Sequence, residues 1–167
     1  MENNKDIIEF FESRKGKALN RLGKRPEELE AILIEEEAKK DEITNTSEEL
    51  SGVSWYYASI DVKVIICRGD LSINVDFSDN EKWNFSCSFW AGGAAAFSGA
   101  GYAVFPDGFR PKQNQEHCCQ FAVVGVTGGV MQVNMWPSGG DILGTMEFAV
   151  GGIGIAGGGG TGKWTKR

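Results

Sequence analysis

His117, Cys118 and Cys119 stand side by side in a chain with one histidine and four cysteines, so any metal or nucleophile chemistry would gather there first. Neighbouring strand residues point to opposite faces, so at most His117 and Cys119 could share a site. Two ligands do not make a zinc centre, which takes three or four. A nucleophilic triad would need the same histidine as its base, and no serine sits in a nucleophile elbow or an equivalent setting. His117 therefore reads as a strand residue near a barrel end. Carboxylates for acid/base work are plentiful, but Asp61, Asp70, Asp76, Asp79, Asp107, Glu116, Asp141 and Glu147 are scattered over predicted edges and turns. They read as surface charge.

The glycines offer a second chemistry. Gly152-Ile153-Gly154-Ile155-Ala156-Gly157 spells GxGxxG and Gly157 through Lys163 spells GxxxxGK. Both motifs hold phosphate on the free N–H groups of a helix that must begin immediately afterwards. Three residues follow Trp164, which itself occupies the place of the Mg²⁺-binding hydroxyl. The expectation is a glycine-rich strand. Arg68-Gly69-Asp70 matches an integrin-type tripeptide and is expected to be a hairpin turn. No catalytic, cofactor-binding or metal-binding residue is assigned, and the protein is expected to be non-enzymatic.

The elements that would position these residues fall into two textures. Residues 5–41 follow a helical period, with Ile7, Ile8, Phe11, Ala18, Leu19 and Leu22 on one side and Glu12, Arg14, Lys15, Lys17 and Arg21 between them. Gly23 is a stop signal and Pro26 a first-turn start, so a second helix follows. It carries an apolar stripe of Leu29, Ile32 and Leu33, and Glu35–Lys39 and Glu36–Lys40 stand as i,i+4 pairs. Gly16 weakens the first helix, and such a unit is marginal alone. It should dock on the rest of the chain, pair with a copy of itself or fold on a partner. Asp41 to Gly52 is polar and aperiodic. The chain thus divides into a charged amphipathic helical segment, 1–45, a linker, 46–52, and a β domain, 53–167.

From Val53 onward the sequence reads as eight strands. The first, Ser54 to Cys67, carries Tyr56, Ala58, Ile60, Val62, Val64 and Ile66 on one face. Leu71, Ile73, Val75 and Phe77, then Trp83, Phe85, Cys87 and Phe89, alternate cleanly with polar residues, the period of a half-buried antiparallel sheet. Ala94 to Phe105, His117 to Val126, Val130 to Trp136 and Ile142 to Phe148 follow, and a last glycine-rich run spans Val150 to Trp164. Glycine inside a strand packs nothing itself, but it lets neighbouring strands close over it, as the coiling of a small closed barrel demands. Pro106-Asp107-Gly108 and Pro137-Ser138-Gly139-Gly140 supply turns. An all-β closed barrel preceded by two helices is the expected architecture.

Net charge −6 and a pI near 4.9 argue against a nucleic-acid partner, which requires a basic footprint. The start, MENNKDIIEFFESRKGK, lacks the apolar core of a signal peptide, and no stretch approaches a membrane span. The expectation is a protein kept in the cytoplasm or exported by a signal-peptide-independent route, its four cysteines reduced and buried.

The last forty residues resemble the C-terminal core of the rhodococcal virulence-associated proteins, the Vap family. The matching pieces are Gln132-Val133-Asn134-Met135-Trp136, Ser138-Gly139-Gly140-Asp141-Ile142-Leu143-Gly144, and Gly151 through Trp164, in that order. Gly99-Ala100-Gly101 is similar to a weaker family segment, and the resemblance spans Val53 to Trp164. It implies an eight-stranded antiparallel barrel of Greek-key type without an evident ligand cavity. It also implies an effector-like role inside host phagocytes, altering the endolysosomal compartment through a host membrane lipid or host protein, with no catalytic residues to carry over. Family members begin with a secretion signal and a disordered arm, where this chain has a charged helical segment. The competing expectation is a cytoplasmic binding or scaffolding protein that oligomerises through residues 5–41.

Overall fold

The structure, a computed structural model, describes residues 4–39, 52–78, 80–90, 94–124, 129–154 and 157–167. Two helices, α1 (Asn4–Arg21) and α2 (Leu29–Lys39), are joined through a 3-10 turn at Pro26–Glu28. Eight strands follow: β1 (Val53–Ile65), β2 (Arg68–Phe77), β3 (Glu81–Trp90), β4 (Ala95–Pro106), β5 (Glu116–Val124), β6 (Val130–Trp136), β7 (Gly144–Ile153) and β8 (Gly157–Lys166). Apart from Gly52, the expected linker lies outside the described residues.

The strands close into an antiparallel barrel in the order β1-β2-β3-β8-β5-β6-β7-β4. Two Greek keys are written in that order. β1, β2 and β3 are successive hairpins and β4 returns beside β1; β5, β6 and β7 repeat the pattern and β8 returns beside β5. The seams β3–β8 and β4–β7 join the two halves, so no edge strand is left open.

Alternation along the strands fills the interior. Ile60, Leu71, Ile73, Phe85, Phe121, Met131, Met146 and Phe148 are among its fully buried side chains. β8 turns Gly158, Gly160, Gly162 and Trp164 to this interior, and the bulk comes from its neighbours: a side chain on Gly162 would collide with Phe85, Cys87 and the Ser86 carbonyl. Trp164, by contrast, is wholly buried and packs among Phe77, Phe85, Phe105, Phe109 and His117. Arg110 caps that aromatic end. Its guanidinium lies 4.9 Å from the Phe77 ring, donates to Tyr56 Oη at 3.1 Å and to Ser78 Oγ at 2.7 Å, and pairs with Glu81.

Several expectations are corrected here. Ile66, expected on the inward face of the first strand, sits with Cys67 in a two-residue turn, and Arg68-Gly69-Asp70 opens β2 instead of forming the hairpin turn. The cause is register: pairing Val62 with Leu71 and Ile60 with Ile73 keeps both apolar faces inward and leaves two residues for the loop. Ile142 precedes β7, where its carbonyl accepts from Gly23 N and its N–H donates to Lys24 O, both at 2.9 Å, tying the helical corner to the barrel. The run from Val150 to Trp164 is divided between the end of β7 and β8.

Candidate functional site

The residues singled out for chemistry are placed by the alternation of β5. His117 and Cys119 point inward, as their spacing predicts, but into a packed core. His117 Nδ1 accepts a 2.8 Å hydrogen bond from Trp164 Nε1, and burial lowers the pKa of the imidazole. Cys119 and Cys87 interact across β8, which lowers the pKa of Cys87 and, together with burial, raises that of Cys119; the Cys87 thiol donates to the Ser88 carbonyl. Cys118 is half-buried on the outer face beside Thr161, and Cys67 is exposed, so burial of all four thiols is not observed. Among the described residues no group of three or more His, Cys, Asp or Glu side chains is arranged to hold a metal ion. The described residues of both phosphate-loop spellings lie at the end of β7 and in β8, and among the described residues a strand, not a helix, follows the glycines.

The polar chemistry of the molecule sits outside the barrel, under the helices. Gln132 and Asn134 of β6 and Thr145 and Glu147 of β7 face outward, yet all four are buried, because α1 lies over them. Glu147, expected as surface charge, accepts from Arg21 Nη1 at 2.9 Å and from Arg14 Nε at 3.2 Å. Arg21 also donates to Asn134 Oδ1 at 2.6 Å and to Glu36 at 3.2 Å, while Thr145 Oγ1 donates to the Ala18 carbonyl. Among the described side chains of α1 the buried ones include Arg14, Lys17, Ala18 and Arg21, where sequence periodicity placed the basic residues in the gaps between core positions; the side chains of Ile7, Ile8 and Phe11 lie outside the described residues. Glu36 likewise turns to Arg21. Burial raises its pKa, partly offset by that arginine.

Burying Arg21 unpaired would cost several kcal/mol, and the two carboxylates and the amide oxygen are what make its position tenable. The cluster works as a clamp. It fixes the angle of α1 on the barrel, and Leu29 completes the contact from α2. Beside it a cleft of about 390 Å³ opens between the helices and the outer face of β5 and β6, lined by Arg14, Lys17, Leu33, Glu36, Gln120 and Gln132. Among the described residues Glu36 Oε1, Gln120 Oε1 and Gln132 Oε1 have no protein partner. Three such oxygens beside the cleft make it a place for ordered water. A shallower groove of about 590 Å³ runs over β1, β2, β4 and β7, bordered by Asp61, Lys63 and Asp70. Arg21 and Glu147 were the pair that sequence reading missed. The available signal was a charged residue inside the apolar run Thr145 to Phe148.

The chain is thus a closed double Greek-key barrel with a side-chain-filled interior, carrying its polar and exposed apolar features on the outside. Two solved structures share that architecture. The chain is similar to the virulence-associated protein VapB of the intracellular pathogen Rhodococcus equi, at 19% identity and a TM-score of 0.54, over 69% of this chain and 99% of that one. Its likeness to VapD of the same organism is 19% identity and a TM-score of 0.52, over 68% and 98%. The chain has the Vap fold, as the resemblance in its last forty residues implied. No protein-family model and no curated protein matches the sequence.

Proposed function

We propose that this protein is a non-enzymatic, effector-like β-barrel that binds a host membrane or a host protein and thereby perturbs the endolysosomal compartment. The observation that carries the reading is the division of labour in the barrel. Its interior is occupied by packed side chains, while large apolar side chains such as Trp90 and Ile153 are exposed on the outside. A likeness in fold to two virulence-associated proteins of an intracellular pathogen supports the setting. Among the described residues no helix is long and apolar enough to cross a membrane, so a helical membrane anchor forms no part of the proposal. The scaffolding alternative would use the helices, where α2 exposes Ile34 while α1 turns Arg14, Lys17, Ala18 and Arg21 to the barrel.

The test is to deliver the purified full chain to cultured phagocytes and follow endolysosomal pH and proteolytic capacity. Loss of acidification or proteolysis, with a heat-denatured sample inert, is the expected result. Unchanged compartments at saturating uptake would remove the effector reading.

A further inference from the structure

The two ends of the barrel differ in chemistry. The connections β2–β3, β4–β5 and β6–β7 meet at one end, and their sequences carry Asp79, Asp107, Arg110, Lys112 and Asp141. At the other end β1–β2, β3–β4, β5–β6 and β7–β8 are joined by residues 66–67, 91–94, 125–129 and 154–156, whose sequences contain no Asp, Glu, Lys or Arg. Segregation of this kind serves no packing purpose inside a closed barrel.

Large apolar side chains stand out from the uncharged end: Ile65 is 64% exposed, Ile66 77%, Trp90 83% and Ile153 78%. Three are outward-facing strand residues bound into one rim by register. Ile65 pairs with Arg68 and Arg68 with Trp90, while Ile153 pairs with Ala96 and Ala96 with Lys63. None of the four belongs to the core, which Val64, Phe89 and Phe97 complete at this end. Ile66 is the sharpest case. A β-branched residue there holds a left-handed φ of 62°, a strained conformation, and gains no burial in return.

We propose that this end of the barrel inserts into the interfacial zone of a phospholipid bilayer, with Ile65, Ile66, Trp90 and Ile153 as the anchors. The inference specifies the surface for the membrane branch of the proposed function and rests on that reading for its setting. A bilayer fits the geometry better than a protein groove does. The anchors lie at separate strand ends spread around a rim, Ile65 and Ile66 at the β1–β2 hairpin, Trp90 at the end of β3 and Ile153 at the end of β7, and a fluid interface accepts such a spread without a matching pocket. Tryptophan is the side chain enriched at that depth, its apolar body in the acyl boundary and its N–H among the headgroups. Lys63, exposed just below the rim, and Arg68, exposed within it between Ile65 and Trp90, can extend their stems along the apolar surface and reach back to phosphate oxygens. Asp61 and Asp70, exposed on the same two strands, offset them, so the end carries no net basic field. Binding is therefore driven by apolar area and is independent of anionic lipid.

The experiment is flotation of the full chain with phosphatidylcholine vesicles at neutral pH, in low and in high salt. The wild type floats, and its bound fraction changes less than twofold with salt. Combining Ile66→Asn, which suits the left-handed turn, with Trp90→Ser lowers the bound fraction at least tenfold, while Lys82→Gln at the opposite end leaves it within twofold. Circular dichroism melting confirms that each variant is folded. The proposal is overturned if the wild type does not float, if it binds only phosphatidylserine vesicles and is released by salt, or if the folded double variant floats like the wild type. It is equally overturned if the wild type forms a dimer that the double variant breaks and vesicles leave intact, for then the occupant is a second copy. A chain that disturbs phagocyte endolysosomes without floating overturns this inference alone; one that floats without disturbing them overturns the proposed function alone.

Discussion

Arg21 is the residue on which the helical segment turns. It is fully buried, and three acceptors from three elements, Asn134 of β6, Glu147 of β7 and Glu36 of α2, converge on it. Removing one partner of a buried ion pair leaves the other uncompensated, at a cost of about 3–5 kcal/mol. Here the cost falls on docking, because among the described residues the barrel core contains no helix residue. Glu147→Ala should therefore speed hydrogen exchange of the α1 amides by about 100-fold or more, at ~1.4 kcal/mol per tenfold, with the barrel amides little changed. Exchange rising equally in α1 and the strands would show that the clamp belongs to the barrel's own stability. His117 makes a second prediction at this scale. Burial holds its folded-state pKa below the ordinary 6.5, so below pH 6.5 the unfolded chain takes up a proton that the folded barrel does not. Stability is complete above that value and is lost as pH falls through the depressed one. His117→Gln keeps an acceptor for Trp164 and removes the titration, so the fall in melting temperature between pH 7 and pH 5, followed by near-UV circular dichroism, should be smaller than in the wild type. An equal fall would exclude His117 as the cause. Glu36 acts with the opposite sign: its raised pKa favours the folded form at low pH, and it acts on α2, which the near-UV signal of the barrel does not follow.

Among the elements, α1 and β8 show how a face can be chosen by what it meets. α1 buries its basic side because β6 and β7 present Gln132, Asn134, Thr145 and Glu147 to it. Those outward side chains are polar, so stripping the helices away hands them to water and uncovers little apolar surface beyond Val104 and Ile142, which lie outside the barrel's interior cluster. Deletion of residues 1–45 should leave a folded barrel with a cooperative thermal transition at a lowered midpoint. Loss of the transition would show that the helices are required to close the fold. β8 is the converse case, a strand nearly bare of side chains whose inner face is supplied by Phe85, Phe89 and Phe121 from β3 and β5. Bulk at Gly162 has nowhere to go.

For the whole molecule, closure is what makes a single unit of two Greek keys. Each half, β1 to β4 or β5 to β8, has its own hairpins, but its apolar inner face and two outer edges are covered only by the other half. Cutting the chain in the β4–β5 connection, between Lys112 and Gln113, should yield fragments that lack near-UV signal alone and regain it when mixed. A cooperative transition in either fragment by itself would show that closure is dispensable. Closure also creates the two ends, one capped by Arg110 with charged connections, the other with connections whose sequences carry no charge and with exposed apolar side chains, and so gives the barrel a direction.

By itself, the sequence determined the class of fold. Period-two alternation from Leu71 to Phe89, glycine where strands must coil, and the ordered pieces from Gln132 to Trp164 led to an eight-stranded antiparallel barrel behind two helices, because local pattern dictates which side chains a strand or helix can bury together. It also placed His117 and Cys119 on one face. Only the tertiary structure decided what those faces meet. Whether Glu147 is a surface carboxylate or the counter-ion of Arg14 and Arg21 depends on a helix more than a hundred residues away in sequence. Whether Arg68-Gly69-Asp70 turns or pairs depends on the register of β1 and β2. Whether Ile65, Trp90 and Ile153 share one end of the molecule depends on strand order, which is set by topology and which no local window of sequence records.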